Sequence, residues 1–461
     1  MARSTQVLLY LLSAAIAARC MKMELDESLN SKDNISWPQN DSRRAHVRRN
    51  RDISTTEMKE KMCNSTECMI SANRIINSMD SSVDPCEDFF QFACGGFIKD
   101  SSVNHWHQRK ILELDSINVL VLERLLKLLV GDSKKYPFLQ KAREKYRNCT
   151  TIIHPHFCLK GAKKSDAWLL GVAYAREYPE TADEFRRLWI IVDTVYLEFR
   201  DMVAKSTWMD EESIKRSIIK AAKLDIALGY DPYILKKHRF RFKILNMLNP
   251  LLSAPVHWPE YAIIFLPLTQ MNPPIYKLGH EVLEYGAMGA IFAHELTHSY
   301  TMFDYDGDGK KNFIWSPNTI SAFYERVGCF VAQYNEEFRN FIEIRKDEIE
   351  RINSTRNVFE NIADSSGLRA AFRTFKWKEN TIWTLKGLED FSPEQLFFLA
   401  HANLHCTKEM PHVTEETILK NKRTPFRFRV NVPMKNMDEF AKAWHCPLGS
   451  NMNPVKKCVI W

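Results

Sequence analysis

Residues 117–130 (INVLVLERLLKLLV) are apolar on more than one face of a helix, which is the pattern of a core helix. The period is again helical from 181 to 226, and Gly229-Tyr230-Asp231-Pro232 stops it. Residues 263–268 (IIFLPL) form a short apolar run suited to a buried strand, ended by Asn272-Pro273-Pro274. Helical patterns then dominate, over 285–300, 320–345 and 361–375. No internal repeat, low-complexity tract or glycine-rich phosphate loop interrupts them. The pattern predicts a mainly α protein with a small β-sheet.

Two segments depart from this pattern. Residues 7–18 (VLLYLLSAAIAA) follow Arg3 and precede Arg19, the layout of a signal peptide over residues 1–20. Twelve residues of helix reach about 18 Å against a hydrocarbon core of about 30 Å, so a stable membrane span is not expected. Cleavage after Ala17 or after Cys20 both fit, and the second leaves ten of the eleven cysteines, a number that pairs completely. Residues 21–62 are polar and read as a flexible stalk, in which Arg48-Arg49-Asn50-Arg51 is solvated linker charge rather than a processing site or polyanion contact.

Composition narrows the function. The 461 residues are 45% apolar and include 27 Phe, 15 Tyr and 11 Trp, enough for a large core and too aromatic for a chain that stays disordered. The net charge of +7 is small for this length, and only residues 43–51 (RRAHVRRNR) concentrate it, so no nucleic-acid partner is expected. Sequons at Asn34, Asn40, Asn64, Asn148 and Asn353, together with the cysteines, agree with a secreted, extracellular protein.

The chemistry centres on His294-Glu295-Leu296-Thr297-His298. Histidines four apart on a helix share a face, so both imidazoles reach one zinc ion while Glu295 points to a water beside it. A catalytic zinc takes a third protein ligand, and no third histidine follows at short range. Glu360, opening a helix in Glu360-Asn361-Ile362-Ala363-Asp364, is the candidate. Asp364, one turn on, is placed to fix the tautomer of a ligand histidine. Asp304-Tyr305-Asp306-Gly307-Asp308-Gly309 begins like a calcium loop, but its twelfth position is Trp315 instead of a bidentate Glu, and an Asp-Gly turn is the better reading.

The chain resembles the neprilysin family of secreted or membrane-anchored zinc endopeptidases at several further points. These are residues 84–90 (DPCEDFF) with Cys94-Gly95-Gly96, Thr207-Trp208-Met209-Asp210, the histidine motif, residues 360–364, Phe428-Arg429-Val430-Asn431, and Met452-Asn453-Pro454 with the ending Cys458-Val459-Ile460-Trp461. They occur in the family's order over about residues 63–461. The resemblance implies a thermolysin-like catalytic lobe under a helical cap lobe, with His294, His298 and Glu360 as zinc ligands, Glu295 as general base, Asp364 orienting a ligand histidine and Arg429 binding substrate backbone. It also implies disulfides Cys63–Cys68, Cys86–Cys446, Cys94–Cys406 and Cys329–Cys458. The family's partner for Cys149 has no counterpart, which leaves Cys149 with Cys158.

Three departures bear on activity. Where the family has a histidine for the tetrahedral intermediate, this chain has Arg423, whose guanidinium also donates to an oxyanion but with different reach and fixed charge. The family's Asn-Ala-aromatic segment for substrate backbone is replaced by Ala254-Pro255-Val256, and its Gly-Phe-Asp after the second metal histidine by Ser299-Tyr300-Thr301. Most of the cap between Cys149 and Thr207 is missing. The expected organisation is a truncated cap lobe over 63–175 and a catalytic lobe over 176–461, with a more open cleft. The function expected is a secreted zinc-dependent endopeptidase acting on peptides. The alternative is a weakened or inactive homologue that binds peptides.

Overall fold

The computed structural model describes residues 61–100, 110–112, 115–131, 134–152, 158–159, 161–162, 167–178, 182–229, 256–259, 262–341, 353–377, 383–409, 411–419 and 423–461. The expected signal peptide, all but the end of the expected stalk, Cys20, Ala254 and Pro255 lie outside the described residues.

Strand β1 (Lys61–Cys63) takes up the last two residues of the expected stalk. Helices α1 (Thr66–Ser78) and α2 (Phe89–Lys99) follow, each opened by a polar side chain that accepts from an otherwise unpaired first-turn N–H: Ser65 from Cys68, Asp88 from Gln91. Then come β2 (Lys110–Leu112), α3 (Asp115–Val130), α4 (Gln140–Thr150) and α5 (Ala167–Glu177). The helical stretch expected over 181–226 is two helices, α6 (Ala182–Ala204) and α7 (Glu211–Ala222), and Ile226 falls in strand β3 (Asp225–Leu228). The break has a local cause: Asp210 caps α7 by accepting from the Ser213 N–H and holds Ser316 and Thr319 with its other oxygen.

Strand β4 (Val256–Trp258) pairs antiparallel, and β3 parallel, with the central β5 (Ile263–Leu266). All four residues of β5 are buried, as its unbroken apolar run requires of a strand covered on both faces. Next come α8 (Glu281–Glu284), a π-helical turn over Tyr285–Gly289, α9 (Ala290–Thr301), α10 (Pro317–Phe341), α11 (Val358–Lys376), β6 (Trp383–Leu385), α12 (Pro393–Leu404), β7 (Thr407–Glu409), α13 (Pro411–Leu419), α14 (Phe426–Lys435) and α15 (Asp438–Ala443). The fold is mainly helical with a minor sheet, as expected. The helix expected over 285–300 therefore starts as a π turn, and Gly286 permits its crossing with α12: a Cβ there would sit 2.4 Å from the Phe397 carbonyl oxygen.

Long-range links join the two ends of the described chain. Strand β1 pairs parallel with β6, and β2 antiparallel with β7. Cys86–Cys446 and Cys94–Cys406 cross the same divide, and the other three implied disulfides, Cys63–Cys68, Cys149–Cys158 and Cys329–Cys458, are also formed. The final residue is part of the core: Trp461 lies 5.6 Å from Phe199 and 5.8 Å from Trp208, ring to ring, and the Trp208 indole N–H donates to the Ile460 carbonyl. Beyond α9 the acidic run forms a tight turn, in which Asp306 accepts from the Asp308 and Lys310 N–H groups and Gly309 has φ +73°. Trp315 is buried and donates to Ser217.

Candidate metal centre

Helices α9 and α11 lie unusually close, and small residues allow it. A Cβ at Gly367 would stand 2.7 Å from the His294 backbone nitrogen. This approach sets the first turn of α11, carrying Glu360, over the histidine face of α9. His294 Nε2 and His298 Nε2 are 3.1 Å apart, and each lies 3.3 Å from a Glu360 carboxylate oxygen. Each histidine nitrogen faces a different Glu360 oxygen, so the two imidazoles and the carboxylate converge closely enough for the three side chains to hold one zinc ion. Among the described residues, His294, His298 and Glu360 are the group of three ligand-type side chains close enough to share an ion.

The surrounding charges favour a cation at this point. Asp364 accepts from His294 Nδ1 at 2.9 Å, which turns Nε2 toward Glu360. Burial opposes a charge on His294, yet its hydrogen bonds to Asp364 and Glu360 outweigh burial and push the imidazole up to about 10. Hydrogen bonds from His294 and His298 hold Glu360 well below the usual carboxylate range. Burial alone would raise Asp364, but the charge and hydrogen bonds of Arg429, with those of His294, hold it far below its ordinary value. The residues present therefore fit a divalent zinc ion by donor type, spacing and field.

Each remaining site residue expected from sequence lines the same cleft, of about 890 Å³. Glu295 is buried one residue past His294, and burial pushes its carboxyl up against the pull of His294 and His298. Arg429, from α14, spends its Nε and one Nη on Asp364 at 2.8 and 2.7 Å. Arg423 is exposed and lines the cleft, on a segment anchored by Thr424, which donates to Asn361 at 2.6 Å. The substitution at Ala254 lies outside the described residues; β4 begins two residues later. Sequence reasoning missed His257, His401 and His405, which also line the cleft. The four-residue spacing of His401 and His405 was a visible signal; for His257, on a three-residue strand, there was none.

Residues 256–460 match the family model described as peptidase family M13. Caenorhabditis elegans neprilysin-21 is 29% identical over 336 residues, covering 63% of this chain and 43% of the relative. The endothelin-converting enzyme homolog of Locusta migratoria is 30% identical over 313 residues, covering 59% and 42%. Residues 256–460 carry an M13, or neprilysin-family, peptidase domain. The chain spans less than half the length of these curated M13 relatives. Zinc is the metal of M13 peptidases, and the triad fits it. Among solved structures, Mycobacterium tuberculosis zinc metalloprotease ZMP1 with an inhibitor aligns at TM-score 0.56 and 18% identity, covering 67% of this chain and 51% of that one. A chain of the Haemonchus galactose-containing glycoprotein complex aligns at TM-score 0.68 and 16% identity, covering 86% of this chain and 99% of that one. Both likenesses concern the fold; the second chain closely matches this one in extent.

Proposed function

We propose that the protein is a secreted zinc-dependent endopeptidase that hydrolyses peptide bonds in peptides. The observation that carries this reading is the convergence of His294, His298 and Glu360, with separations of 3.1 to 3.3 Å, backed by Asp364. Zinc, when bound there, acidifies a water molecule and polarises a carbonyl group. Glu295 takes the proton from the attacking water and hands it to the leaving nitrogen, a cycle that a buried carboxyl of raised pKa suits. Asp364 keeps the His294 hydrogen on Nδ1. Arg423 faces the cleft as a donor to the oxyanion, and Arg429 positions the substrate backbone with the N–H groups it does not give to Asp364.

Secretion is supported by the five disulfides, by sequons at Asn64, Asn148 and Asn353 that are all exposed, and by residues 1–20. Among the described residues no helix is long and apolar enough to cross a membrane. A cap lobe over 63–175 and a catalytic lobe over 176–461 belong to the same proposal, as does an open cleft with weak selection on substrate size. Cleavage of quenched fluorescent peptides that stops with chelator and returns with zinc tests the reading. The second reading, a zinc-containing peptide-binding protein, rests on Arg423 and Ala254, and on the likeness to a chain of similar extent within a glycoprotein complex. One equivalent of zinc with no cleavage across a peptide library would decide for it.

A further inference from the structure

His405 closes α12 and lines the cleft beside the zinc triad, and it is 8% exposed. Its Nδ1 lies 3.0 Å from the His401 carbonyl oxygen. A carbonyl only accepts, so Nδ1 carries the hydrogen and Nε2 presents a bare lone pair. Among the described residues nothing bonds that Nε2. Burial, with smaller contributions from His401 and Arg429, pushes the imidazole down to about 3, so the ring is neutral. The wall around it is apolar: the Phe426 ring lies 5.5 Å away and Leu404 shares the lining. The His401 ring, 4.9 Å away, is also buried, and burial holds its imidazole at about 4 against the pull of Asp364.

We infer that His405 is a specificity-determining residue of this cleft: its Nε2 accepts a hydrogen bond from a neutral donor side chain of a bound peptide, a carboxamide or a hydroxyl. The inference rests on reading the cleft as a peptide site. An apolar side chain there would strip water from Nε2 and return nothing. A carboxylate has no hydrogen to give. An ammonium or guanidinium group would shed its water against Leu404 and Phe426.

The test uses the zinc-loaded full chain carrying Glu295→Gln, so that binding is read without turnover, with zinc content measured separately. Fluorescent hexapeptides differing at one position at a time (Gln, Asn, Ser, Leu, Glu or Lys) are titrated by anisotropy. At one position Gln or Asn binds at least about tenfold tighter than Leu or Glu. Adding His405→Phe reverses that order with zinc content unchanged, while His405→Gln, which keeps an acceptor, retains part of it. Tighter binding of Leu at every position, a ranking untouched by His405→Phe, or no binding by any peptide overturns the inference. Failure of the hydrolase reading shows elsewhere: the unmodified protein then binds these peptides with the carboxamide preference and cleaves none.

Discussion

Asp364 couples the metal face of His294 to Arg429: one carboxylate oxygen accepts from His294 Nδ1 at 2.9 Å and Arg429 Nη2 at 2.7 Å, and the other from Arg429 Nε at 2.8 Å. A single buried carboxylate thereby fixes a histidine tautomer and orients a guanidinium. Asp364→Asn preserves shape and removes the charge. Zinc affinity, measured by competition with a chromogenic chelator, is expected to fall about 10–100-fold. Undiminished affinity would assign Asp364 to packing alone.

Gly367 is the contact that lets α11 reach α9. Gly367→Ala places a methyl 2.7 Å from the His294 nitrogen and must push Glu360 away from the histidine pair. Zinc stoichiometry below one at micromolar metal is expected, with a melting temperature lowered by several degrees. A variant that binds zinc like the unmodified protein contradicts the close-approach account.

Arg423 is the exposed cation at the cleft proposed as the oxyanion donor. Arg423→Ala is expected to lower kcat about tenfold or more while zinc content and KM hold, since an oxyanion donor acts in the transition state. An unchanged kcat would leave Arg423 as a solvated side chain at the cleft.

Outside the cleft, Glu284 offers a pH test of the fold. It is buried on α8, accepts from the Leu278 N–H, and burial pushes its carboxyl from 4.5 up to about 7. A folded pKa above the unfolded one gives stability that is complete below about 4.5 and lost as pH rises through about 7. Glu284→Gln stays neutral throughout, so its stability relative to the unmodified protein should grow from pH 5 to pH 8, by about 3 kcal/mol. Parallel melting curves across that range would contradict a buried, proton-holding carboxyl.

The sequence was most readable where spacing is local. A four-residue histidine interval fixes two ligands on one helical face, and the interval from Glu360 to Asp364 places two carboxylates on another. The disulfides followed from resemblance, since nothing local pairs Cys86 with Cys446 across 360 residues. What escaped has a non-local cause. Ile226 is a strand residue because β5, nearly forty positions later, pairs with it, and the helical period upstream carries no trace of that partner. Strands of three residues such as β1 and β6 exist only by virtue of each other. His401 and His405 went unassigned, and their place in the cleft comes from the crossing of α12 with the π turn at Gly286.

The most direct measurement of the central claim is zinc-dependent peptide cleavage by the purified chain, with Glu295→Gln alongside. The unmodified protein should cleave peptides from a mixed library, lose activity with chelator and regain it with one equivalent of zinc. Glu295→Gln should keep its zinc and lose about 10²–10⁴ in kcat. Cleavage that survives chelation, or a Glu295→Gln protein as fast as the unmodified one, would contradict the account.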